Sequence, residues 1–152
     1  MIAVVQRVSE ASVRVGDEVV GTIGPGLLVL AAVCEDDAED DVAWTARKIA
    51  ELRIFRNGEK HFDLDVRAAG GGVLLVSNFT VAGDARQGRR PSFDAAAGAD
   101  KGAELFESLV RAVRAAGVPV ETGRFRADMK VHLVNDGPVT LVLDSAASRK
   151  RA

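Results

Sequence analysis

Seven consecutive apolar residues, Leu27 to Val33, follow the break Gly24-Pro25-Gly26. An apolar run of this length without polar alternation predicts a fully buried strand. With Cys34 added it is the longest apolar run in the chain, far short of the roughly 20 residues that span a bilayer. The opening Met1-Ile2-Ala3-Val4-Val5-Gln6-Arg7 meets a charge too early for a secretory signal. A soluble cytoplasmic protein with no membrane partner is therefore expected. At 152 residues, 47% hydrophobic and 28% charged, one globular domain can bury roughly 68–70% of the surface its unfolded chain exposes.

Around that strand the pattern alternates between strand and helix signals. Ile2–Val8, Ala11–Val15 and Val19–Ile23 read as strands, with Gly16-Asp17 as a turn. Six carboxylates among the seven residues from Glu35 to Asp41 suit a helix N-terminus. Val42, Ala46, Ile49 and Ala50 continue it at helical spacing, which predicts a helix over 38–51. Leu52-Arg53-Ile54-Phe55 returns to strand character, 57–72 reads as irregular, and Val73–Val76 as a buried strand. Thr80 to Phe93, rich in Gly, Arg and Asp, predicts a long surface loop. Leu105, Phe106, Leu109, Val110 and Val113 give a second helix over 100–116, closed by Gly117 and Pro119. Three strands, 118–124, 129–135 and 139–144, complete the domain. The expectation is a single α+β domain over 1–145, mostly antiparallel with two main helices on one side, and a frayed basic tail over 146–152.

Composition removes several chemistries. Cys34 is the one cysteine and His61 and His132 are the two histidines, so an intrachain disulfide, a multi-cysteine zinc site and a three-histidine centre are all excluded. No metal and no cofactor are expected. Gly70-Gly71-Gly72 has no Lys-Ser/Thr pair or helix pattern behind it, so it is a turn and not a phosphate loop. No Gly-x-Ser-x-Gly elbow occurs. Twenty Lys+Arg against 22 Asp+Glu leave a net charge of −2, which argues against a nucleic-acid coat over the whole surface while leaving a local basic patch open. Cys34 reads as a core filler, and each histidine as a surface or sheet residue.

Two segments place polar groups where strand meets loop. Ser77-Asn78-Phe79-Thr80 closes the Val73–Val76 strand and can aim hydroxyls and amides into a cleft. Asn135-Asp136-Gly137-Pro138 lies between two strands, where Asp-Gly predicts a hairpin turn. The competing reading is a functional Gly-Pro peptide in the cis state, found in only about 5% of X-Pro bonds.

Val5-Gln6-Arg7-Val8 with Ala11-Ser12-Val13, Leu52-Arg53-Ile54-Phe55, Arg89-Arg90-Pro91-Ser92-Phe93, Met129, and Leu133-Val134-Asn135-Asp136-Gly137-Pro138-Val139-Thr140 occur in this order over nearly the whole chain. In this the sequence resembles the D-aminoacyl-tRNA deacylase family. The resemblance implies a homodimer with active sites at the subunit interface, aminoacyl-tRNA as partner, and hydrolysis of the ester joining a D-amino acid to the tRNA's terminal adenosine. Glycyl-tRNA, mischarged on tRNA-Ala, is implied as a second substrate. It further implies that Gly137-Pro138 is cis, enters the other subunit's site and excludes L-esters, with Arg7 holding the motif. Ser77, Asn78, Phe79 and Thr80 correspond to the family's catalytic motif, and Phe125 and Met129 to its substrate pocket.

Thr80 is a natural nucleophile, but no base is evident to activate it. Hydrolysis assisted by the substrate's own ribose hydroxyl, with main-chain amides on the oxyanion, is the expectation. Arg86, Arg89 and Arg90, with Lys101 and Arg149–Arg151, offer phosphate contacts. The sequence departs from the family at Asn78 (usually Gln), Val81 (usually Leu) and Arg126 (usually Gly), and His61-Phe62-Asp63-Leu64-Asp65 also differs. Two rival readings are a non-catalytic RNA-binding module of the same fold and an esterase for small D-amino acid esters.

Overall fold

The computed structural model describes residues 1–149. Its spine is β1 (Ile2–Val15), which pairs antiparallel with β2 (Glu18–Ile23) and β3 (Gly26–Ala32) along one edge. The long β8 (Lys130–Asp144) pairs antiparallel with nearly all of β1. From β3 the sheet continues through parallel β6 (Gly72–Ser77) and parallel β7 (Val120–Thr122). The fold is thus α+β, with antiparallel pairing around β1 and a parallel segment from β3 to β7.

Residues of β3 alternate between two cores. Leu27, Val29 and Ala31 pack with Val73, Leu75 and the helices α1 (Glu39–Glu51) and α2 (Ala99–Ala115). Leu28 joins Leu74, Val76, Val8, Ala11 and Val13 on the opposite face, with Val20 and Ile23 of β2 against them. A continuous apolar run is required because both faces are covered. Both helices begin and end within a residue of the predicted spans. Asp41 at the start of α1 accepts from the Ala38 amide, and Asp37 accepts from the Met1 ammonium and, at 2.6 Å, from the Cys34 amide. The acidic stretch therefore caps the helix and latches the chain's first residue.

Several expected boundaries move. Ile2–Val8 and Ala11–Val15 are one strand, joined through a bulge at Ser9 where Val8 pairs with Asn135 and Glu10 with Val134. Residues 129–135 and 139–144 are likewise one strand, and Asp136-Gly137 is not a hairpin turn. Both halves of β8 stay paired to β1, because Gln6 faces Thr140 while Val8 faces Asn135, so residues 136–139 are pushed out of the ladder. Leu52–Ile54 is not strand. β4 (Phe55–Asn57) and β5 (Lys60–Leu64) instead make a hairpin inside the stretch expected to be irregular. Gly58, at φ +57°, turns it, and Asp63 accepts from Arg53 at 2.7 Å and Asn57 at 2.8 Å. Only Val120–Thr122 of 118–124 is strand. Ser145–Arg149 forms α3 in place of a frayed start to the tail, with Arg149 paired to the buried Asp41 at 2.5 Å. Lys150 and Arg151 lie outside the described residues.

Candidate active site

The end of β6 opens into a cleft of about 610 Å³. The parallel β3–β6 ladder ends with Ala31 opposite Ser77, and the Asn78 amide donates to the Ala31 carbonyl at 2.9 Å. The chain then enters a 3-10 turn, Phe79–Ala82, capped by Asn78. Asn78 Oδ1 accepts from the Thr80 amide at 3.2 Å and from the Thr80 hydroxyl at 2.6 Å. The shorter side chain at 78 folds back onto its own turn, as Asx residues do. Phe79 is 56% exposed and packs edge-on against Phe93, with ring centroids 5.2 Å apart.

The opposite wall comes from Phe125, Ala127, Met129 and Val131. Phe125 lies across Gly102 of α2 and stacks obliquely on Phe106 at 6.4 Å. Met129 packs so closely on Gly123 that a Cβ there would sit 2.7 Å from its sulfur. The floor is apolar, from Leu30, Val33 and Val76. Among the described residues, the charged lining consists of Arg126 and Asp128.

The residues singled out in the sequence thus fall into two groups. Ser77, Asn78, Phe79, Thr80, Phe125 and Met129 line one cleft. Arg7, Gly137 and Pro138 do not; they form a second cluster at the extruded segment of β8. Arg7, 3% exposed, donates from Nε to the Asp136 carbonyl at 3.2 Å and from a guanidinium nitrogen to the Ile54 carbonyl at 2.6 Å. Its Nε also lies 3.3 Å from Asp136 Oδ2. Asn135 donates to the carbonyls of Arg7 at 2.9 Å and Val139 at 3.0 Å, clamping the base of the loop. Gly137-Pro138 is cis and exposed, and Gly137 has φ +129°. A Cβ on Gly137 would sit 2.8 Å from Val139 Cγ2 and 3.0 Å from an Arg7 guanidinium nitrogen.

Among the described residues, the cleft holds no hydrogen-bonded nucleophile–base pair. The Thr80 proton is directed at an amide oxygen, which is not a base at neutral pH. His61 and His132 are exposed on β5 and β8 and do not line the cleft. Burial, and next the charge of Asp37, push the Cys34 thiol up from its ordinary value, so it is no ready thiolate. No group of three or more metal-ligating side chains occurs among the described residues. No helix of the described residues is long and apolar enough to cross a membrane. Of the basic residues, Arg86 is tied to Asp84 at 2.6 Å, which holds that carboxyl at about 2. Lys101 donates to the Glu35 carbonyl, while Arg89 and Arg90 are exposed. Sequence reasoning missed the contribution of Ala97, Gly98 and Ala99, which line the cleft at the start of α2. Their small size is the only signal they carry, in the run Ala95-Ala96-Ala97-Gly98-Ala99.

Fold and cleft define a single-domain α+β protein with an apolar-floored cleft at the end of β6. A model of the D-Tyr-tRNA(Tyr) deacylase family matches residues 4–144, and the chain belongs to that family. It is 56% identical to the D-aminoacyl-tRNA deacylase of Geobacter metallireducens over 145 residues, 95% of this chain and 96% of that protein. It is 54% identical to the protein of that name from Thermotoga petrophila, over 96% of this chain and 98% of the relative. A solved structure described as a c-Myc DNA unwinding element binding protein superposes with a TM-score of 0.89 at 35% identity, covering 95% of this chain and 98% of that one. A probable eukaryotic D-amino acid tRNA deacylase shares the fold at a TM-score of 0.79 and 19% identity, over 93% and 97% of the two chains.

Proposed function

We propose that the protein hydrolyses the ester between a D-amino acid and the terminal adenosine of a tRNA, as a cytoplasmic homodimer that serves translation quality control. The reading is carried by one observation: relatives more than half identical over nearly the whole chain bear the name D-aminoacyl-tRNA deacylase. The geometry supports the chemistry. Water adds to the ester carbonyl, the bond to the ribose oxygen breaks, and that oxygen takes up the proton. With the Thr80 hydroxyl engaged by Asn78, the neighbouring ribose hydroxyl of the substrate activates the water. The Phe79 amide, between the bonded amides of Asn78 and Thr80, is the donor assigned to the oxyanion.

Chirality is read by the extruded loop of β8. Gly137 and Pro138 do not line their own chain's cleft, yet Arg7 and Asn135 hold them rigidly outward. In the dimer they enter the partner's cleft, where their carbonyls meet the α-ammonium and an L side chain has no room. Glycine has no side chain to exclude, so glycyl-tRNA is also hydrolysed. Arg89 and Arg90, exposed beyond the cleft, contact tRNA phosphates. Measuring hydrolysis of D-Tyr-tRNA, L-Tyr-tRNA and a free D-tyrosine ester separates the readings. Rapid, D-selective loss of the tRNA ester is expected. Hydrolysis of the free ester alone would leave a small-ester esterase, and binding without hydrolysis an RNA-binding module.

A further inference from the structure

We infer that Arg126 binds the phosphate next to the terminal nucleoside of the tRNA and so positions the ester in the cleft. This rests on the deacylase reading above. Arg126 is the one residue other than glycine with a positive φ, +62°, among the described residues. The Ala127 amide donates to the Arg124 carbonyl at 3.2 Å, closing a four-residue turn with Arg126 in its third place. Type II turns give that place to glycine, and another L-residue is strained there. A cation kept at a position that disfavours its backbone points to a use for the side chain.

Its surroundings say which use. Arg126 is exposed and lines the same cleft as Ser77–Thr80. Nearby Arg124 is occupied by Glu18 at 3.0 Å, whereas Arg126 takes part in no ion pair among the described residues, not even with Asp128 of the same wall. Gly98 and Ala99, at the N-terminus of the 17-residue α2, line this cleft as well, so amide dipoles add to the positive potential. The reacting ester is neutral at its carbonyl. The nearest anion in the substrate is the phosphodiester that joins the last two nucleotides, one ribose away from the scissile bond. A guanidinium at the cleft wall can take two of its oxygens at once.

The test compares Arg126→Gly and Arg126→Lys on two substrates, D-Tyr-tRNA and the phosphate-free ester D-tyrosyl-adenosine, over a salt series. For the tRNA ester, Arg126→Gly should raise KM about tenfold with little change in kcat. It should also flatten the plot of log kcat/KM against log salt by about 0.7, one single-strand phosphate contact. Arg126→Lys should restore most of that slope, and the loss on the adenosine ester should be far smaller than on tRNA. The glycine variant relieves the turn, so its melting temperature should rise, and lost binding is then not lost folding. Equal losses on both substrates, or an unchanged salt slope, would overturn the inference and leave Arg126 as a determinant of cleft shape. Should the wild type hydrolyse no D-aminoacyl-tRNA, the deacylase reading falls separately. Binding of uncharged tRNA by wild type and Arg126→Gly over the same salt series still decides the phosphate contact.

Discussion

β3 and β8 both pair antiparallel with β1, and they are built to opposite rules. β3 matches β1 over seven consecutive residues, Gly26 to Ala32 against Val8 to Ile2, without a break. Its side chains are buried on both faces. β8 pairs with β1 twice over, before and after an interruption, and its outward residues stay exposed, Val142 at 67%. One strand gives every residue but Leu30, which reaches the cleft floor, wholly to the core. The other gives up four, 136 to 139, to hold a glycine-proline segment away from the sheet. The regular pairings on both sides of the gap make that affordable, because they fix where the segment leaves and rejoins.

The comparison can be broken first on the side of the core. Leu74, fully buried beside Leu28 on β6, should cost about 2–5 kcal/mol when replaced by alanine, measured by denaturant unfolding. Arg7→Ala should cost less, about 1–3 kcal/mol, because it leaves the buried Ile54 carbonyl unpaired and removes the bond to the Asp136 carbonyl. It should lower activity more than its stability loss explains, since the loop of β8 loses its clamp. Gly137→Ala should destabilise by about 1–2 kcal/mol, from its positive φ and the close Val139 and Arg7 contacts. Its kcat/KM on D-esters should fall about 100-fold, the scale of a small misplacement at a reacting centre. If Gly137→Ala keeps full activity and D-selectivity, the extruded loop has no part in the site.

The smallest effect concerns the far end of β8. Burial raises the Asp41 carboxyl, but hydrogen bonds from Ser145, the Ala38 amide and Arg149 outweigh it and hold the group below its ordinary value. A depressed carboxylate stabilises the fold fully above the ordinary carboxylate range, about 3.9. That contribution is lost as pH falls through the lower folded value. Asp41→Asn should therefore narrow the stability difference between pH 7 and pH 3, read from denaturant midpoints at both. An unchanged pH difference would show that Arg149 and Ser145 do not pin β8 through this carboxylate.

Legibility in the sequence follows the same division. The apolar run of β3 and the stripes Val42–Ala46–Ile49 and Leu105–Leu109–Val113 report burial directly, so strand and helices are found almost to the residue. Asn135-Asp136-Gly137-Pro138 is misread as a hairpin because local turn chemistry carries no information about β1. Only a partner strand 14 residues long can keep both halves of β8 paired across the gap. In the cleft, Ser77–Thr80, Phe125 and Met129 carry chemical signals and are brought together. Ala97, Gly98 and Ala99 contribute by leaving space, which no residue type announces. The left-handed backbone of Arg126 is equally silent until its turn is closed.

The central claim is that a working site combines the cleft of one chain with the Gly137-Pro138 loop of another. Subunit mixing tests it most directly. One chain carries Gly137→Ala, the other Ala99→Trp, which places a large ring at the exposed mouth of the cleft. Each should be nearly inactive alone on D-Tyr-tRNA. Mixed by unfolding and refolding together, half the dimers combine the two chains, and each such dimer contains one site with neither defect. About a quarter of wild-type activity should return. No recovery in a mixture shown to contain the mixed dimer would contradict the account.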